Sequence, residues 1–306
     1  MAKKKTIKTS GEYGRVFAEI RKSKGYSQHE VEDSTVTAAT ISRFERGDTM
    51  IGTDSFLKIL GNIGVTSSEF EAVFQKLSNR HDPLPLQNVW ALVKATELQS
   101  VSMIESLLTE IKKEIKNNPN LKKYQLDRIL VQTTLSRLDD SNKVSPKNLK
   151  FLTDFLLKTK RWGRYETFLL GWTTILFDTE TLEQLFKHML ESNDYTNLYY
   201  RDKKFIIDTA LNILDNFLVK NELMAAKNVI LQLENYEINT QLLFERMELK
   251  YDKARFNFLS GIKPKLAIKE MWYYYDVLKY AESFELANVV RDEIMELNSR
   301  KKSIKK

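Results

Sequence analysis

From about Gln87 to its end the chain is one amphipathic helical pattern after another, and no other feature limits the fold as much. Apolar residues recur at helical spacing in segments of roughly 12–20 residues, the length of ordinary packed helices. Breaks fall at NNPN (117–120), DDSNKVSP (139–146), KTKRWG (158–163), ESND (191–194), VKNE (219–222), NYEIN (235–239) and SGIKP (260–264). Two-helix units thus recur at about 40 residues, the period of stacked helical hairpins. Only 10 glycines and 5 prolines occur in 306 residues, which disfavours a turn-rich β architecture. The expected class is all-α, with an α-solenoid over this region. An irregular helical bundle is the plainer alternative.

Residues 11–80 read differently, as five short helices. Gly11 to Lys24 places Val16, Phe17 and Ile20 on one face, and Gly25 ends that helix. Ser27 with Glu30 three residues on forms a capping-box pattern opening a second helix, roughly Ser27 to Ser34. Thr37 caps a third, which stops at Gly47; Thr53 or Asp54 opens a fourth and Ser67 a fifth. HDPLPL (81–86) reads as a linker. The expected organisation is a first domain of short helices at 1–80, a linker at 81–86, a helical repeat domain at 87–298 and a basic tail at 299–306.

Composition narrows the function classes. Hydrophobic residues make up 42% of the chain, enough for a sizeable core. There is no cysteine, so disulfides, thiol nucleophiles and Cys-based zinc sites are excluded. The net charge of +7 is uneven: residues 1–64 hold 11 basic against 8 acidic residues, and 298–306 hold 5 basic and none acidic. A basic first module on a near-neutral body suits nucleic-acid binding at one end, while the last nine residues suit a solubilising tail. MAKKKTIKTS lacks the apolar core of a signal peptide, and no apolar run is long enough to span a membrane, so neither a signal peptide nor a membrane span is expected.

The stretch TAATISRFERGDTM (37–50) carries the sharpest signal. A helix that begins with tiny residues brings its tip close to a partner. Preceded by a short helix and a tight turn, it makes a helix-turn-helix whose second helix enters the DNA major groove. Ala38 and Ala39 keep the tip thin, and Thr37, Thr40 and Arg43 reach base edges or phosphates. Gln28, at the start of the preceding helix, suits a phosphate, and Arg46 is either a phosphate contact or merely exposed. Ile41 and Phe44 point into the core. Arg21 and Glu45 sit near core-facing positions and are expected to form a structural ion pair.

At this point the chain resembles a known family. Residues 20–70 resemble the DNA-binding region of XRE-type helix-turn-helix regulators. SRFERG (42–47) followed by FLKILGNI (56–63) resembles, more narrowly, the Rgg/GadR/MutR regulators of Gram-positive bacteria. RWGRYETFLLG (161–171), ERMELKYDKARFNFLSGI (245–262) and YAESFELANVVRDEIMEL (280–297) extend the resemblance over nearly the whole chain. Two departures stand out: Glu32 occupies a position where the broad pattern prefers alanine, and the turn STVT (34–37) lacks glycine. The resemblance implies a five-helix, lambda-repressor-like helix-turn-helix domain followed by a tetratricopeptide-like α-solenoid. It also implies a cytoplasmic homodimer, joined through its C-terminal helices, that binds a double-stranded operator and often a short peptide pheromone.

The inner surface of a solenoid suits an extended peptide. Asn212 and Asn216, spaced i, i+4, offer a donor and an acceptor each to a peptide backbone. Arg164 and Arg255 are candidates for a peptide carboxylate, and Trp172 and Tyr251 for apolar pockets. The bland reading is that such residues are simply the wet face of amphipathic helices. MWYYYDVLKYAESFELA (271–287) suits repeat packing with some dimer contact. No cofactor, metal site or catalytic residue is expected: His29, His81 and His188 lie in unrelated segments, and no HExxH, Walker, GxSxG or GxGxxG motif occurs. The alternative function is a helix-turn-helix regulator whose repeat domain binds a protein, or responds to pH or metabolic state, without a peptide.

Overall fold

The structure is a computed structural model that describes residues 10–77, 90–138, 142–192, 200–236 and 238–304. It is all-helical among those residues and divides into two compact units, Met1–Ala91 and Leu92–Lys306. The HDPLPL segment lies outside the described residues.

The first unit holds α1 (Ser10–Ser23), α2 (Gln28–Val31), α3 (Ala38–Glu45), α4 (Thr53–Asn62) and α5 (Ser67–Leu77). One core joins them, built from Val16, Phe17, Val31, Ile41, Phe44, Ile59, Leu60, Phe70 and their neighbours. Two close approaches fix α3 on α1. A Cβ on Gly14 would lie 1.8 Å from the Phe44 carbonyl oxygen. Gly47, at φ +76, ends α3, and a Cβ there would lie 2.6 Å from the Gly11 Cα. Only glycine permits both the left-handed turn and the contact.

The helix α2 is shorter than its periodicity predicts. Glu32 already has an extended backbone, at φ −65 and ψ 155. Its side chain turns forward to accept the Ala38 N–H at 2.7 Å. The missing glycine of the turn is replaced by Asp33, whose Oδ1 accepts from the Thr35 and Val36 amides at 2.6 and 3.0 Å.

In the second unit α6 (Trp90–Glu97) straddles the boundary. Then come α7 (Val101–Asn117), α8 (Lys122–Ser136), α9 (Pro146–Lys158), α10 (Arg164–Thr173), α11 (Thr179–Ser192) and α12 (Tyr200–Val219). The array closes with α13 (Leu223–Asn235), α14 (Leu243–Leu259), α15 (Pro264–Tyr280) and α16 (Phe284–Ile304). Alternate helices α8, α10, α12 and α14 pack side by side, while α7, α11, α13 and α15 lie against them as a second layer. This is the hairpin array expected of the period. The last helix runs on through residue 298 to Ile304 without interruption.

The WGRYE segment shows how one motif sets one hairpin. Trp162 is buried, donates its ring N–H to the Leu156 carbonyl at 3.2 Å, and meets His188 edge-on. Glu166 accepts the Gly163 N–H at 2.9 Å and so caps α10. The Tyr165 hydroxyl donates to Asp127 at 3.0 Å, tying α10 to α8.

Of the aromatic stretch at 271–287, Met271, Tyr274 and Leu278 are buried against α14, while Tyr273, Val277, Tyr280 and Phe284 are exposed.

Candidate functional sites

The helix-turn-helix presents a small polar surface at the start of α3. Thr37 caps the helix, its Oγ1 accepting the Thr40 N–H at 3.3 Å. Thr37, Ala39 and Arg43 are exposed and Thr40 is half-buried. Arg43 touches only the Thr40 hydroxyl, at 3.5 Å, among the contacts described for it. Ala38 is turned inward and buried, so its role is to let the tip pack closely rather than to offer a methyl. Arg46 is held by Ser42 at 2.7 Å and Asp48 at 2.8 Å.

Beneath that surface lies a buried polar hub. The Arg21 guanidinium grips Glu45 with two bonds, 2.6 and 2.9 Å, and donates to the Tyr26 carbonyl. Both side chains are nearly sealed, at 6% and 7% exposure. Gln28 also donates to Glu45, at 2.6 Å. Gln28 is therefore braced from within, on the same carboxylate that anchors Arg21. At the helix tip the Ala38 N–H, and secondarily His29, hold the Glu32 carboxyl below its ordinary range.

In the repeat unit the nominated residues fall into two groups. Trp172 and Asn212 stand at the seam of α10 and α12, where Asn212 donates to the Gly171 carbonyl at 3.3 Å and Trp172 packs on Phe168. The seam is tight because a Cβ on Gly171 would lie 2.7 Å from the Thr209 hydroxyl. Asn216, one turn after Asn212, is 8% exposed, and its Oδ1 has no hydrogen-bond partner. Arg164 is exposed at the start of α10.

Tyr251 and Arg255 belong to a different neighbourhood, where α14 meets α12 and α16. Both are buried. The Tyr251 hydroxyl donates to Glu293 at 2.6 Å, and its ring stacks on Tyr274. Arg255 donates to Asp215 and Asp252, each at 2.8 Å, and to Glu293 at 2.5 Å. A guanidinium shared among three carboxylates is not the open clamp that the sequence suggested.

The same neighbourhood holds groups that sequence reasoning passed over. Lys204 bridges Asp208, at 3.0 Å, and Glu245. Burial works against its ammonium, but those two partners outweigh it and raise its pKa. Glu248 lies among Asp252, Asp208, Asp215 and Glu245, and burial first, then those like charges, push its carboxyl up to about 8. The signal was present in the sequence: Glu245, Glu248, Asp252 and Arg255 recur at helical spacing along one side of α14.

Comparison with known proteins decides the lineage. The model of the C-terminal domain of the HTH-type transcriptional regulator Rgg matches residues 105–291, more than half of the chain. The chain belongs to the Rgg family. A helix-turn-helix family model also matches residues 17–70 of this Rgg protein, which is thus a DNA-binding transcriptional regulator. Its fold resembles that of the Streptococcus dysgalactiae SHP pheromone receptor Rgg2, with a TM-score of 0.75 and 20% identity over 93% of this chain and 99% of that one. A protein of Listeria monocytogenes EGD-e assigned as a transcriptional regulator matches with a TM-score of 0.77 and 20% identity, over 96% of this chain and 99% of the other. PrgX, in its complex with cCF10, matches with a TM-score of 0.67 and 12% identity, over 94% and 92% of the two chains. No described helix of this Rgg protein is long and apolar enough to cross a membrane.

Proposed function

We propose that this Rgg protein is a cytoplasmic, homodimeric receptor in which a short peptide on the repeat unit alters operator binding by the helix-turn-helix. The carrying observation is the α10–α12 seam: two asparagines one turn apart, one with an unpartnered buried oxygen, beside a half-buried tryptophan. An extended peptide has unpaired backbone donors and acceptors, and such amides satisfy both. The structurally similar proteins described as a pheromone receptor and a peptide complex support the reading. Action is through binding alone, with no catalytic step. The exposed Tyr273, Val277, Tyr280 and Phe284 supply an aromatic surface suited to a second copy. A two-fold dimer presents two α3 helices to half-sites about one DNA turn apart, or a multiple of that.

On the DNA side Thr37, Ala39, Thr40 and Arg43 face the groove, while Gln28 and Arg46 stand at the backbone. Arg43→Ala is expected to weaken binding to the DNA beside its own gene by about 1–3 kcal/mol with an unchanged melt, because Arg43 is exposed and holds nothing in place. A gel shift with wild-type affinity would count against the assignment.

On the peptide side Asn212→Ala with Asn216→Ala is expected to abolish the response to peptides encoded near the gene while operator binding survives. Loss of the Asn212 bond to Gly171 costs about 1 kcal/mol, so the variant should stay folded. A normal peptide-dependent change in DNA anisotropy in that variant would refute the site.

A further inference from the structure

A groove of about 530 Å³ runs between α1 and α3. Its α1 wall carries Arg15, Glu19 and Lys22, all exposed and at helical spacing. Its α3 wall carries Ser42, Glu45 and Arg46, and Gln28 adds to the lining. The hydrogen-bonding capacity left over in this groove is mostly that of donors. Both Glu45 oxygens are occupied, by Arg21 and Gln28. Gln28 spends one amide hydrogen there and has a second. Ser42 accepts from Arg46 at 2.7 Å, which leaves its own O–H to donate. Arg46 places Nε on Asp48 and Nη1 on Ser42, so Nη2 remains. Lys22 is exposed, with no ion pair or hydrogen bond described for it. Glu19 is the one carboxylate of the lining with none either. Such a lining fits a group that carries negative charge and offers only acceptors. Ser42 and Arg46 follow Ala39 by three and seven residues and so share its side of α3, and a helix lying in the major groove has phosphate backbone along its flanks.

We propose that this groove seats a backbone phosphate of the operator, with the Lys22 ammonium and the Ser42 hydroxyl as new donors beside Gln28 and Arg46. The helix α1 then touches DNA together with α2 and α3. Glu19, on the same wall, opposes the contact and limits its strength. The inference rests on DNA reading by α3 and adds to it a contact that fixes position and carries no base information.

The test uses the full-length protein, a labelled fragment of the DNA beside its own gene and a scrambled duplex of the same composition, titrated by anisotropy between 50 and 200 mM salt. Lys22→Gln is expected to bind both duplexes about five- to tenfold more weakly at the lower salt, the scale of one charge-assisted bond. Its salt slope should be shallower by about 0.9 for each reading head on the DNA. Over that fourfold salt range, wild type should lose about threefold more affinity per head than the variant. Glu19→Gln should act in the opposite sense, tightening both duplexes by about twofold or more and leaving the melt unchanged. Lys24→Gln removes the same charge from an exposed residue outside the groove, and should change affinity by less than about twofold. Arg43→Ala, measured in parallel, reports on the reading surface alone, so the groove can fail while that assignment stands. A wild-type salt slope in Lys22→Gln, or a Lys24→Gln loss as large as that of Lys22→Gln, would overturn the inference: the first leaves no phosphate in the groove, and the second leaves only the general field of a basic domain. A Lys22→Gln loss confined to the natural sequence would overturn it too, because it would mean a base contact.

Discussion

Arg255→Ala is expected to destabilise the repeat unit by about 3–5 kcal/mol, the usual consequence of leaving a buried charge without its partner. The partner most exposed to that loss is Asp252, whose side chain is 3% exposed and bonded to Arg255 at 2.8 Å. Asp215 and Glu293 also lose the guanidinium, but both keep more contact with water, and Glu293 keeps the Tyr251 hydroxyl as a donor. Burial pushes the Asp252 carboxyl up while Arg255 pulls it down. Without the guanidinium the carboxyl rises further, so the folded variant binds a proton more readily than the unfolded chain. Its deficit should therefore be larger at alkaline than at mildly acidic pH. Urea denaturation at two pH values measures both the size and the slope. Asp252→Leu added to Arg255→Met should recover most of the loss, since an apolar pair of similar volume has no charge to strand. An Arg255→Ala protein as stable as wild type would mean that the guanidinium is free for a ligand after all.

Glu45→Ala is expected to have a comparable effect on the first unit. It strands Arg21 at 6% side-chain exposure with only the Tyr26 carbonyl, and it removes the acceptor of Gln28. The loss is about 3 kcal/mol. In a unit this small each kcal/mol lowers the melting temperature by roughly 4–8 °C. Calorimetry should show that unit's transition moving down by more than ~10 °C. Glu45→Gln, which retains hydrogen-bonding oxygen, should fall between. This separates the hub from the reading surface: Glu45→Ala loses DNA by unfolding, whereas Arg43→Ala loses it while folded. A Glu45→Ala melt superimposable on wild type would refute the structural role.

The sequence was most legible where local rules act alone. The capping box of Ser27 and Glu30, the Gly47 stop and the core positions of α1 and α3 all follow from spacing within one helix. It was least legible where a turn lacks its usual marker. The breaks after α6 and after α15 turn on Gln99 at φ 47 and Glu282 at φ 58, neither glycine nor proline, so composition does not reveal them. The break between α10 and α11 is a short 3-10 turn capped by Phe177, a buried aromatic that reads as helix. Glu32 looked like a flaw in the turn, yet it satisfies the first amide of α3 from six residues away. Arg255 was picked for the right chemistry and the wrong partner: bidentate carboxylate binding is legible in one residue type, but which carboxylates stand beside it depends on helices about 40 residues apart.

The glycine contacts of α1 with α3 have a consequence for how a message can reach DNA. Backbone rests on backbone at Gly14 and again at Gly11, with no side chain between to act as a flexible cushion. The reading helix therefore cannot slide or tilt on its support without breaking both contacts. In the proposed dimeric receptor a signal is therefore transmitted as a change in the placement or spacing of whole reading heads, a gear shifted between fixed teeth, and variants that uncouple sensing from DNA binding are expected in the connection between units and not beneath α3.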